Sequence, residues 1–412
     1  MKFESPRGTH DVLPAEQPLW EKVIREAEEL CALYGYRRIT TPLFEDTGLF
    51  TRTSGEGSDI VSMEMYTFTD RGDRSLTLRP EGTAPVARAY IQHGLHREPQ
   101  PVKTYFIGPM YRYAAPQRGK FREFWQFNIE AMGSDDPALD AEVIQLFDEL
   151  RRRLEIRGSW LELNSIGDRK CRPAYIEKLN AWLDEHAGEL DEETRAKRET
   201  SPLRVFDNFS QKPESVQRAL AKAPKIGESL CEECQAHFDA VRRYLDAYGV
   251  EYRLTSTLVR GLDYYTRTTF EFMGEALGAQ SSLCGGGRYD YLIEEIGGPP
   301  TPAVGFASGI ERLVLSLTEQ GAEGPAPEID VFFALEDQAA RPDVLAAMAE
   351  LRRSGRAADT DYAGRSLKGQ LTQAGRLGAR ATVIARGDGV TVRRGGEQDK
   401  EFASLAEAVA SL

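Results

Sequence analysis

The chain has 412 residues, of which 41% are hydrophobic and 28% are charged. At ~100–200 residues per domain this length predicts two or three domains, and the composition is typical of globular proteins rather than disordered or fibrous ones. No apolar run approaches the ~20 residues that cross a bilayer, and the opening stretch MKFESPRGTHDVLP lacks the apolar core of a signal peptide. We therefore expect neither a membrane segment nor a secretory leader.

The net charge of −13 speaks against a nucleic-acid partner, but the charge is unevenly spread. Residues 329–412 carry 12 acidic and 12 basic side chains, so the rest of the chain carries the whole excess. Within that part, residues 351–394 hold ten arginines and lysines against three aspartates. A local basic excess of this kind is typical of phosphate binding, although a solvated helix face has the same composition.

The five cysteines are an odd number and are thinly spread, which argues against a disulfide framework and predicts a reducing, cytoplasmic setting. The sequence from Cys231 to Cys234 has C-x-x-C spacing, and His237 and Cys171 could add to a zinc site. Because a second C-x-x-C pair is missing, we predict no structural metal and interpret these cysteines as buried thiols at the start of a helix.

The first half of the chain predicts an amphipathic helix, a hairpin of strands and a second helix. Apolar residues such as Trp20, Val23 and Ala27 recur at helical spacing, and Gly35 ends that run. Trp125, Phe127 and Ile129 alternate with polar residues, as expected of a strand with one buried face. The predicted elements are a helix over 14–35, a short strand over 37–42, a helix over 83–95, and strands over 102–107 and 125–131.

The second half predicts an inserted helical module and a separate C-terminal unit. The expected organisation is an α+β domain over 1–164 and 251–320, a helical insertion over 165–250, a Gly/Pro linker over 321–328 and an α/β domain over 329–412. Within it we predict strands at 252–258 and 268–273, a glycine-rich turn at 284–287, and a strand followed by a helix over 303–318.

A basic loop between two strand-like segments is the first candidate for chemistry. Arg112, Arg118, Lys120 and Arg122 follow one another with no acidic residue between them. Guanidinium forks match phosphate oxygens, so such a loop can clamp a polyphosphate, and the ring of Phe124 could stack on a base. Gln126 and Glu130 would project from one face of the strand behind it. An ordinary hairpin with one exposed face has the same spacing.

The stretch LVRGLDYYTRTTFEF (258–272) is the second candidate. Arg260 could meet an anion while Tyr264 or Tyr265 donates a hydrogen bond to a substrate, and no acidic residue precedes Asp263 to neutralise the arginine. A surface turn with a tyrosine core is the alternative interpretation.

Two further segments complete the candidates. CGGGRY, ending in Arg288 and Tyr289, combines three glycines that would let a ligand approach the backbone with two side chains that could bind it. Residues 304–317 lead from a strand into a helix with Arg312 in its first turn, where it adds to the anion-binding helix N-terminus. The sequence has no G-x-G-x-x-G, P-loop, H-E-x-x-H or G-x-S-x-G motif.

Together these segments resemble the bacterial-type histidyl-tRNA synthetases, a family of class II aminoacyl-tRNA synthetases. The opening PRGTHDVLP resembles the family's N-terminal signature, the helix and strand ending at Pro42 resemble motif 1, residues 108–130 resemble motif 2 and residues 304–317 resemble motif 3. LVRGLDYYTRTTFE and LCGGGRYDYL resemble two histidine-specific motifs, and TLRPEGTAPVAR (77–88) resembles the substrate-binding strand and helix. The resemblance covers nearly the whole chain in the family's order.

The resemblance implies an ATP site and two catalytic residues, Arg260 and Arg112. Both would hold the α-phosphate, Arg260 at the place where other class II enzymes put a metal. Phe124 would stack on adenine, Arg122 would contact phosphates from the end of the loop, and Arg312 would bind the γ-phosphate. Mg²⁺ is expected to arrive with ATP.

The resemblance also implies a histidine pocket. The residues expected around the α-amino end are Glu81, Thr83 and Gln126. Those expected around the imidazole are Glu130, Tyr265 and Tyr289, and Tyr264 and Arg260 complete the predicted set.

By the same resemblance, an antiparallel sheet flanked by helices would carry the active site, beneath the helical insertion, and residues 329–412 would form an anticodon-binding domain. Histidine would react with ATP to give histidyl-adenylate and pyrophosphate, and the 3′-terminal adenosine of tRNA(His) would then take the histidine. Motif 1 implies a homodimer.

Three alternatives stay open at this point. A non-catalytic regulatory protein of histidine biosynthesis would be expected to lose the motif 2 and motif 3 arginines, which are present. A class II synthetase for another amino acid is disfavoured by the histidine-type motifs and Glu130. A tRNA-binding scaffold without activity is favoured only by Ala114, which stands where the family's motif 2 loop usually has an acidic residue.

Overall fold

The polypeptide divides into two units in a computed structural model, one ending at Glu323 and the other beginning at Gly324. The structure describes residues 3–54, 60–207, 209–275, 282–324, 328–386 and 389–412. Part of the predicted linker, residues 325–327, lies outside these ranges. Among the described helices, none is both long enough and apolar enough to cross a membrane.

The first unit combines strands and helices throughout its length. Its strands are β1 (Arg37–Arg38), β2 (Phe44–Asp46), β3 (Tyr66–Thr69), β4 (Ser75–Leu78), β5 (Val102–Tyr111), β6 (Glu123–Met132), β7 (Ser159–Ser165), β8 (Arg253–Leu254), β9 (Thr266–Gly274), β10 (Ser282–Arg288) and β11 (Ala303–Gly309). Its α-helices are α1 (Gln17–Leu33), α2 (Thr47–Ser54), α3 (Thr83–Gln92), α4 (Pro137–Arg153), α5 (Arg172–Glu185), α6 (Glu192–Thr200), α7 (Glu214–Lys222), α8 (Glu232–Tyr248), α9 (Leu292–Glu295) and α10 (Ile310–Glu319).

An eight-stranded sheet with the order β1-β5-β6-β11-β10-β9-β7-β8 forms the centre of this unit. Its neighbouring strands run antiparallel except at the two edges, where β1 pairs with β5 and β7 with β8 in parallel. Strands β2, β4 and β3 form a separate antiparallel sheet. The predicted α+β class with an antiparallel sheet flanked by helices is confirmed.

The two faces of the large sheet carry different hydrophobic clusters. Helices α1, α4, α8 and α10 pack on one face, together with Phe127 and Ile129 of β6. Helices α3, α5, α7 and α9 contribute to the cluster on the other face, which also contains Tyr264, Tyr265 and Tyr289. Since strand residues alternate between faces, Gln126, Asn128 and Glu130 project toward this second face, the one with the tyrosines.

The hairpin of β5 and β6 is longer than the sequence predicts. Val102 pairs with Met132 at one end and Tyr111 with Glu123 at the other, so residues 112–122 form the connecting loop. The predicted helix at 14–35 is observed over Gln17–Leu33, the helix at 83–95 over Thr83–Gln92, and the strand at 252–258 shrinks to Arg253–Leu254.

The predicted glycine-rich turn at 284–287 is wrong, because these residues lie inside β10 between β9 and β11. A Cβ on Gly286 would come within 2.3 Å of the Gly305 carbonyl oxygen and 2.6 Å of the Phe270 ring. A Cβ on Gly287 would lie 2.5 Å from the Thr268 carbonyl oxygen. These glycines therefore allow close packing within a central strand instead of a change of chain direction.

The second unit is a smaller mixed sheet with helices. Its strands are β12 (Val331–Leu335), β13 (Ala358–Thr360), β14 (Ala381–Ala385), β15 (Val390–Arg394) and β16 (Lys400–Phe402), in the sheet order β13-β12-β14-β15-β16. Its α-helices are α11 (Arg341–Arg353), α12 (Leu367–Arg376) and α13 (Leu405–Ala410). The first three strands of the sheet are parallel and the last two pairings are antiparallel. Strand β12 is buried throughout, with Phe333 and Phe332 in separate clusters.

Candidate active site

A cavity on the tyrosine-bearing face of the large sheet collects most of the residues that the sequence singled out. It lies between β6, β10 and β11, the loop after β5, the start of α3 and the start of α10. The predicted site residues that line it are Glu81, Thr83, Arg112, Phe124, Gln126, Arg260, Tyr264, Tyr265, Tyr289 and Arg312. Glu130 lies directly behind this lining, and Arg122 lies outside it.

Arg112 enters the cavity at the end of β5. Its Nε donates a 2.7 Å hydrogen bond to the Pro80 carbonyl oxygen, and its Cζ lies 5.3 Å from the centroid of the Phe124 ring. Burial lowers the pKa of the Arg112 guanidinium, which Glu64 and Glu81 oppose and Arg260 reinforces. The half-buried guanidinium can pair with an anionic group of a ligand. The adjacent aromatic ring can stack on a flat part of the same ligand.

Arg312 reaches the same cavity from the first turn of α10. Its Nε donates to the Gly119 carbonyl oxygen at 3.1 Å and its Nη1 to the Ser282 carbonyl oxygen at 2.5 Å. Burial lowers its pKa; Glu271 raises that pKa, whereas Arg112 and Arg260 lower it. The mutual effect of these three arginines shows that their positive charges converge, which an anion in the cavity would relieve.

Arg260 has an ion-pair partner eleven residues further along the same segment. Its Nη1 lies 2.8 Å from Glu271 Oε1 on β9, which corrects the prediction that nothing neutralises this arginine. Burial lowers the pKa of Arg260, but Glu271, Tyr265 and Cys284 together raise it by more, so the net shift is upward. A Cβ on Gly285 would lie 2.1 Å from Arg260 Nη2, so that glycine makes room for the guanidinium.

The carboxylates of Glu81 and Glu130 are held in place by hydrogen bonds. Glu81 accepts the backbone N–H groups of Thr83 at 2.7 Å and Ala84 at 2.9 Å, at the start of α3. Glu130 accepts Thr83 Oγ1–H at 2.7 Å and the hydroxyl of Tyr289. Burial raises the pKa of Glu130 to about 8, against the lowering effect of these hydrogen bonds.

Two amide oxygens in the lining have no hydrogen-bond donor among the described residues. They are Gln126 Oε1 and Asn128 Oδ1, on neighbouring positions of the same face of β6. Buried polar atoms without a partner are rare in folded proteins and call for an explanation. A ligand with N–H groups, such as an ammonium, would supply the missing donors.

Comparisons with known proteins identify the family of this chain. The family model described as histidyl-tRNA synthetase matches residues 8–313. The chain belongs to the histidyl-tRNA synthetase family. The histidine--tRNA ligase of Moorella thermoacetica is 48% identical over 99% of this chain and 97% of its own, and that of Desulforamulus reducens is 48% identical over 92% and 90%.

Solved structures support the same assignment. The apo histidyl-tRNA synthetase of S. aureus has a TM-score of 0.83 and 36% identity, covering 100% of this chain and 99% of that one. A Bacillus halodurans structure described as an ATP phosphoribosyltransferase regulatory subunit/histidyl-tRNA synthetase has a TM-score of 0.68 and 24% identity, covering 94% and 99%. That likeness concerns the fold alone, so the side chains of the cavity must separate the two activities.

Among the lining residues outside the predicted set, Asn128 and Glu311 each have a buried oxygen without a donor among the described residues. Asn128 could have been found from the alternation that places it between Gln126 and Glu130. Glu311 precedes Arg312; its Oε1 accepts the Trp125 N–H at 2.8 Å, its Oε2 is buried without a donor among the described residues, and burial raises its pKa to about 7. Sequence spacing gave no signal for Glu311.

Arg122 holds the loop rather than lining the cavity. Its Nε donates to the Ala114 carbonyl oxygen at 3.2 Å, and its Cζ lies 3.8 Å from the centroid of the Tyr113 ring. Its backbone N–H donates to the Gly8 carbonyl oxygen at 2.7 Å. In this synthetase-family chain the residue therefore joins the N-terminal segment to the loop.

Glu130→Gln should change how the stability of the unliganded protein depends on pH. The pKa of Glu130 is 4.5 in an unfolded chain and about 8 in the folded one. Between these two pH values the folded chain keeps a proton on Glu130 that the unfolded chain releases. Stability linked to Glu130 is therefore lost as pH rises through this window. We expect the melting temperature of Glu130→Gln to rise relative to the parent from pH 5 to pH 9. Parallel melting curves over this range would contradict the assignment.

Proposed function

We propose that this chain is a histidine--tRNA ligase whose active site is the cavity of the first unit. The observation that carries the proposal is that Arg112, Arg260 and Arg312 line the same cavity as the two donor-less amide oxygens, in a synthetase-family fold. The arginines suit a polyphosphate and the amide oxygens suit an amino group. Relatives named histidine--tRNA ligase cover more than nine tenths of the chain.

The first step joins histidine to ATP. A carboxylate oxygen of histidine attacks the α-phosphorus, the bond to pyrophosphate breaks, and histidyl-adenylate forms. Charge accumulates on the α-phosphate oxygens as this occurs, so fixed cations nearby lower the barrier. Arg112 and Arg260 are the proposed groups at the α-phosphate and Arg312 at the γ-phosphate, with Phe124 beneath the adenine. Contact of Arg122 with ATP stays a prediction.

The polar half of the cavity is proposed to hold histidine. Glu81, Thr83 and Gln126 would receive its ammonium group, and the unpaired Oδ1 of Asn128 is a further acceptor for that group. Tyr264, Tyr265 and Tyr289 would surround the imidazole, with Glu130 behind them. Each oxygen of Glu130 already accepts one hydroxyl and retains a lone pair for an imidazole N–H.

Mg²⁺ would enter with ATP as its counterion. The ion prefers oxygen ligands, and the donor-less Oε2 of Glu311 in the cavity lining fits that preference. No protein nucleophile is required, because the carboxylate of histidine itself attacks; catalysis then consists of positioning and charge stabilisation.

The second step transfers histidine to tRNA. The 3′-terminal adenosine hydroxyl attacks the carbonyl carbon of the adenylate, and AMP leaves. We propose that residues 1–164 and 251–320 carry this chemistry, that 165–250 form the helical insertion, and that 329–412 bind the anticodon. The cytoplasm is the proposed setting.

A homodimer is proposed on the resemblance of the first helix and strand to motif 1. Apolar side chains near this region support it: Leu33, Leu43 and Phe44 are 70%, 44% and 50% exposed. The ring of Phe44 lies 6.3 Å from that of Phe68, which is also exposed, and neighbouring exposed apolar residues are typical of surfaces that bind a partner.

Ion pairs in the second unit refine its proposed tRNA surface. Several arginines of the basic stretch are paired with acids from outside it: Arg380 with Glu328, Arg386 with Glu336 and Arg393 with Asp399. Lys368 and Arg376, both exposed on α12, pair with no acidic group among the described residues. These two cations, which lie on one helix, are the residues that we propose for contact with tRNA phosphates.

Arg260→Ala should abolish adenylate formation without unfolding the protein. Losing a preorganised charge at the reacting phosphorus typically costs roughly 10²–10³-fold in rate. We expect a loss of this size in single-turnover adenylation, with histidine binding nearly unchanged. Arg253→Ala is the matched control, because Arg253 is an exposed arginine of β8, seven residues before Arg260 and outside the cavity lining. Adenylation within a few-fold of the parent, in a folded Arg260→Ala variant, would show that Arg260 is not catalytic.

The double variant Lys368→Glu with Arg376→Glu reverses both unpaired charges on α12. We expect it to raise the KM for tRNA(His) by about tenfold or more. The KM should also depend less on salt concentration. Histidine-dependent pyrophosphate exchange should not change. The control Arg393→Glu with Lys400→Glu alters the net charge equally, but at residues already paired with Asp399 and Glu397. An equal effect of both double variants on KM would mean that only net charge matters.

A further inference from the structure

Four side chains with metal-binding atoms meet away from the cavity lining. They form two pairs with the same spacing, Asp168 with Cys171 and Cys231 with Cys234, far apart in the sequence. One carboxylate oxygen and three sulfurs from these residues all lie within 4.8 Å of one another. Asp168, Cys171 and Cys234 are buried, and Cys231 is half-buried. We refer to these four residues as the Asp-Cys₃ cluster.

The fold brings the pairs together at the starts of two helices. Asp168 lies in the turn after β7, and Cys171 directly precedes α5. Cys231 directly precedes α8, and Cys234 lies in its first turn. Cys171 and Cys234, 63 positions apart in the chain, therefore lie side by side.

The spacing between the atoms suits a tetrahedral ion. Cys171 Sγ lies 3.9 Å from Cys234 Sγ and 3.7 Å from Asp168 Oδ1. With Zn–S of ~2.3 Å and Zn–O of ~2.0–2.2 Å, tetrahedral geometry places two sulfurs about 3.8 Å apart and a sulfur and an oxygen about 3.5 Å apart. The cysteines are all free, and 3.9 Å is far beyond the ~2.05 Å of a disulfide bond.

The surroundings of the Asp-Cys₃ cluster orient its ligand atoms. The backbone N–H of Lys170 donates to Asp168 Oδ1 at 2.9 Å, and that of Asp168 points to Cys171 Sγ at 3.3 Å. Arg267 Nη2 lies 3.6 Å from Asp168 Oδ2. Gly167 has φ +62°, and a Cβ there would lie 2.5 Å from Cys171 Sγ, in space that the sulfur needs. Such supporting contacts are typical of metal sites.

We propose that Asp168, Cys171, Cys231 and Cys234 bind one structural Zn²⁺ ion. Three thiolates select a soft or borderline ion over Mg²⁺ or Ca²⁺, and one carboxylate completes a ligand set that zinc accepts. The protein fills all four positions, which is the pattern of structural rather than catalytic zinc. The ion would fasten the start of α5 to the start of α8, closing the base of the helical segment between β7 and β8. The role is independent of the proposed ligase activity.

The sequence prediction of no structural metal rested on the missing second C-x-x-C pair. Asp168 stands three residues before Cys171 and supplies the fourth ligand from the position that a cysteine would have in such a pair. His237, which the sequence grouped with these cysteines, lies instead with its Nε2 3.6 Å from Asp140 Oδ2.

The full-length protein is purified under reducing conditions, incubated with Zn²⁺ and desalted. Its zinc content and melting temperature are then measured. We expect about one zinc per chain, and a melting temperature that falls on chelation and recovers when Zn²⁺ is restored. Cys234→Ser should lower the zinc content about tenfold or more. Asp168→Cys should keep the ion. Cys31→Ala, at a buried cysteine of α1, is the matched control and should bind zinc as the parent does.

Cobalt gives a second measurement that does not depend on the stability of a variant. Co²⁺ added to the metal-free parent should produce thiolate-to-cobalt charge-transfer and tetrahedral d–d absorption, and the charge-transfer band should grow in Asp168→Cys, from three thiolates to four. The proposal is overturned if the parent binds neither metal, if Cys234→Ser and Cys31→Ala bind zinc equally, or if the freshly purified protein has three titratable thiols instead of five, which would indicate a Cys171–Cys234 disulfide.

Discussion

The mutual repulsion of three half-buried arginines is the constraint on which the site depends. Arg112, Arg260 and Arg312 line one cavity. Each is fixed before any ligand arrives: Arg112 by the Pro80 carbonyl, Arg260 by the Glu271 carboxylate, and Arg312 by the carbonyls of Gly119 and Ser282. Holding like charges together in a partly desolvated space costs free energy, which an anion recovers on binding. The same arrangement needs no reorganisation when charge develops in a phosphoryl reaction.

The sheet supplies the space for these charges by omitting side chains. Gly285 leaves room for the guanidinium of Arg260, and a Cβ on Gly305 would lie 2.3 Å from Glu130 Oε2. Cation and carboxylate thus sit against bare backbone in neighbouring strands β10 and β11. Gly285 and Gly305 are therefore needed to position Arg260 and Glu130, although neither glycine has a side chain that binds a ligand.

Much of this site could be predicted from the sequence, because its residues lie in short segments with recognisable spacing and family resemblance. Contacts across the sheet could not be predicted: Glu271 lies on β9 and meets Arg260 only after folding, and the glycine segment reads as a turn until its neighbours β9 and β11 are known. The contact of Arg122 could not be predicted either, since its position in a basic loop does not show that its guanidinium packs on Tyr113. The sequence pattern of a zinc site is recognised by its cysteines and histidines, so it gave no signal for the carboxylate of Asp168.

ATP–pyrophosphate exchange with each of the twenty amino acids tests most directly whether the cavity activates histidine with ATP. We expect exchange with histidine far above that with any other amino acid, in the absence of tRNA. Exchange that prefers another amino acid would contradict the proposed pocket around Glu130. No exchange with any amino acid, in a folded protein that binds ATP, would contradict the ligase assignment and favour a non-catalytic binding protein.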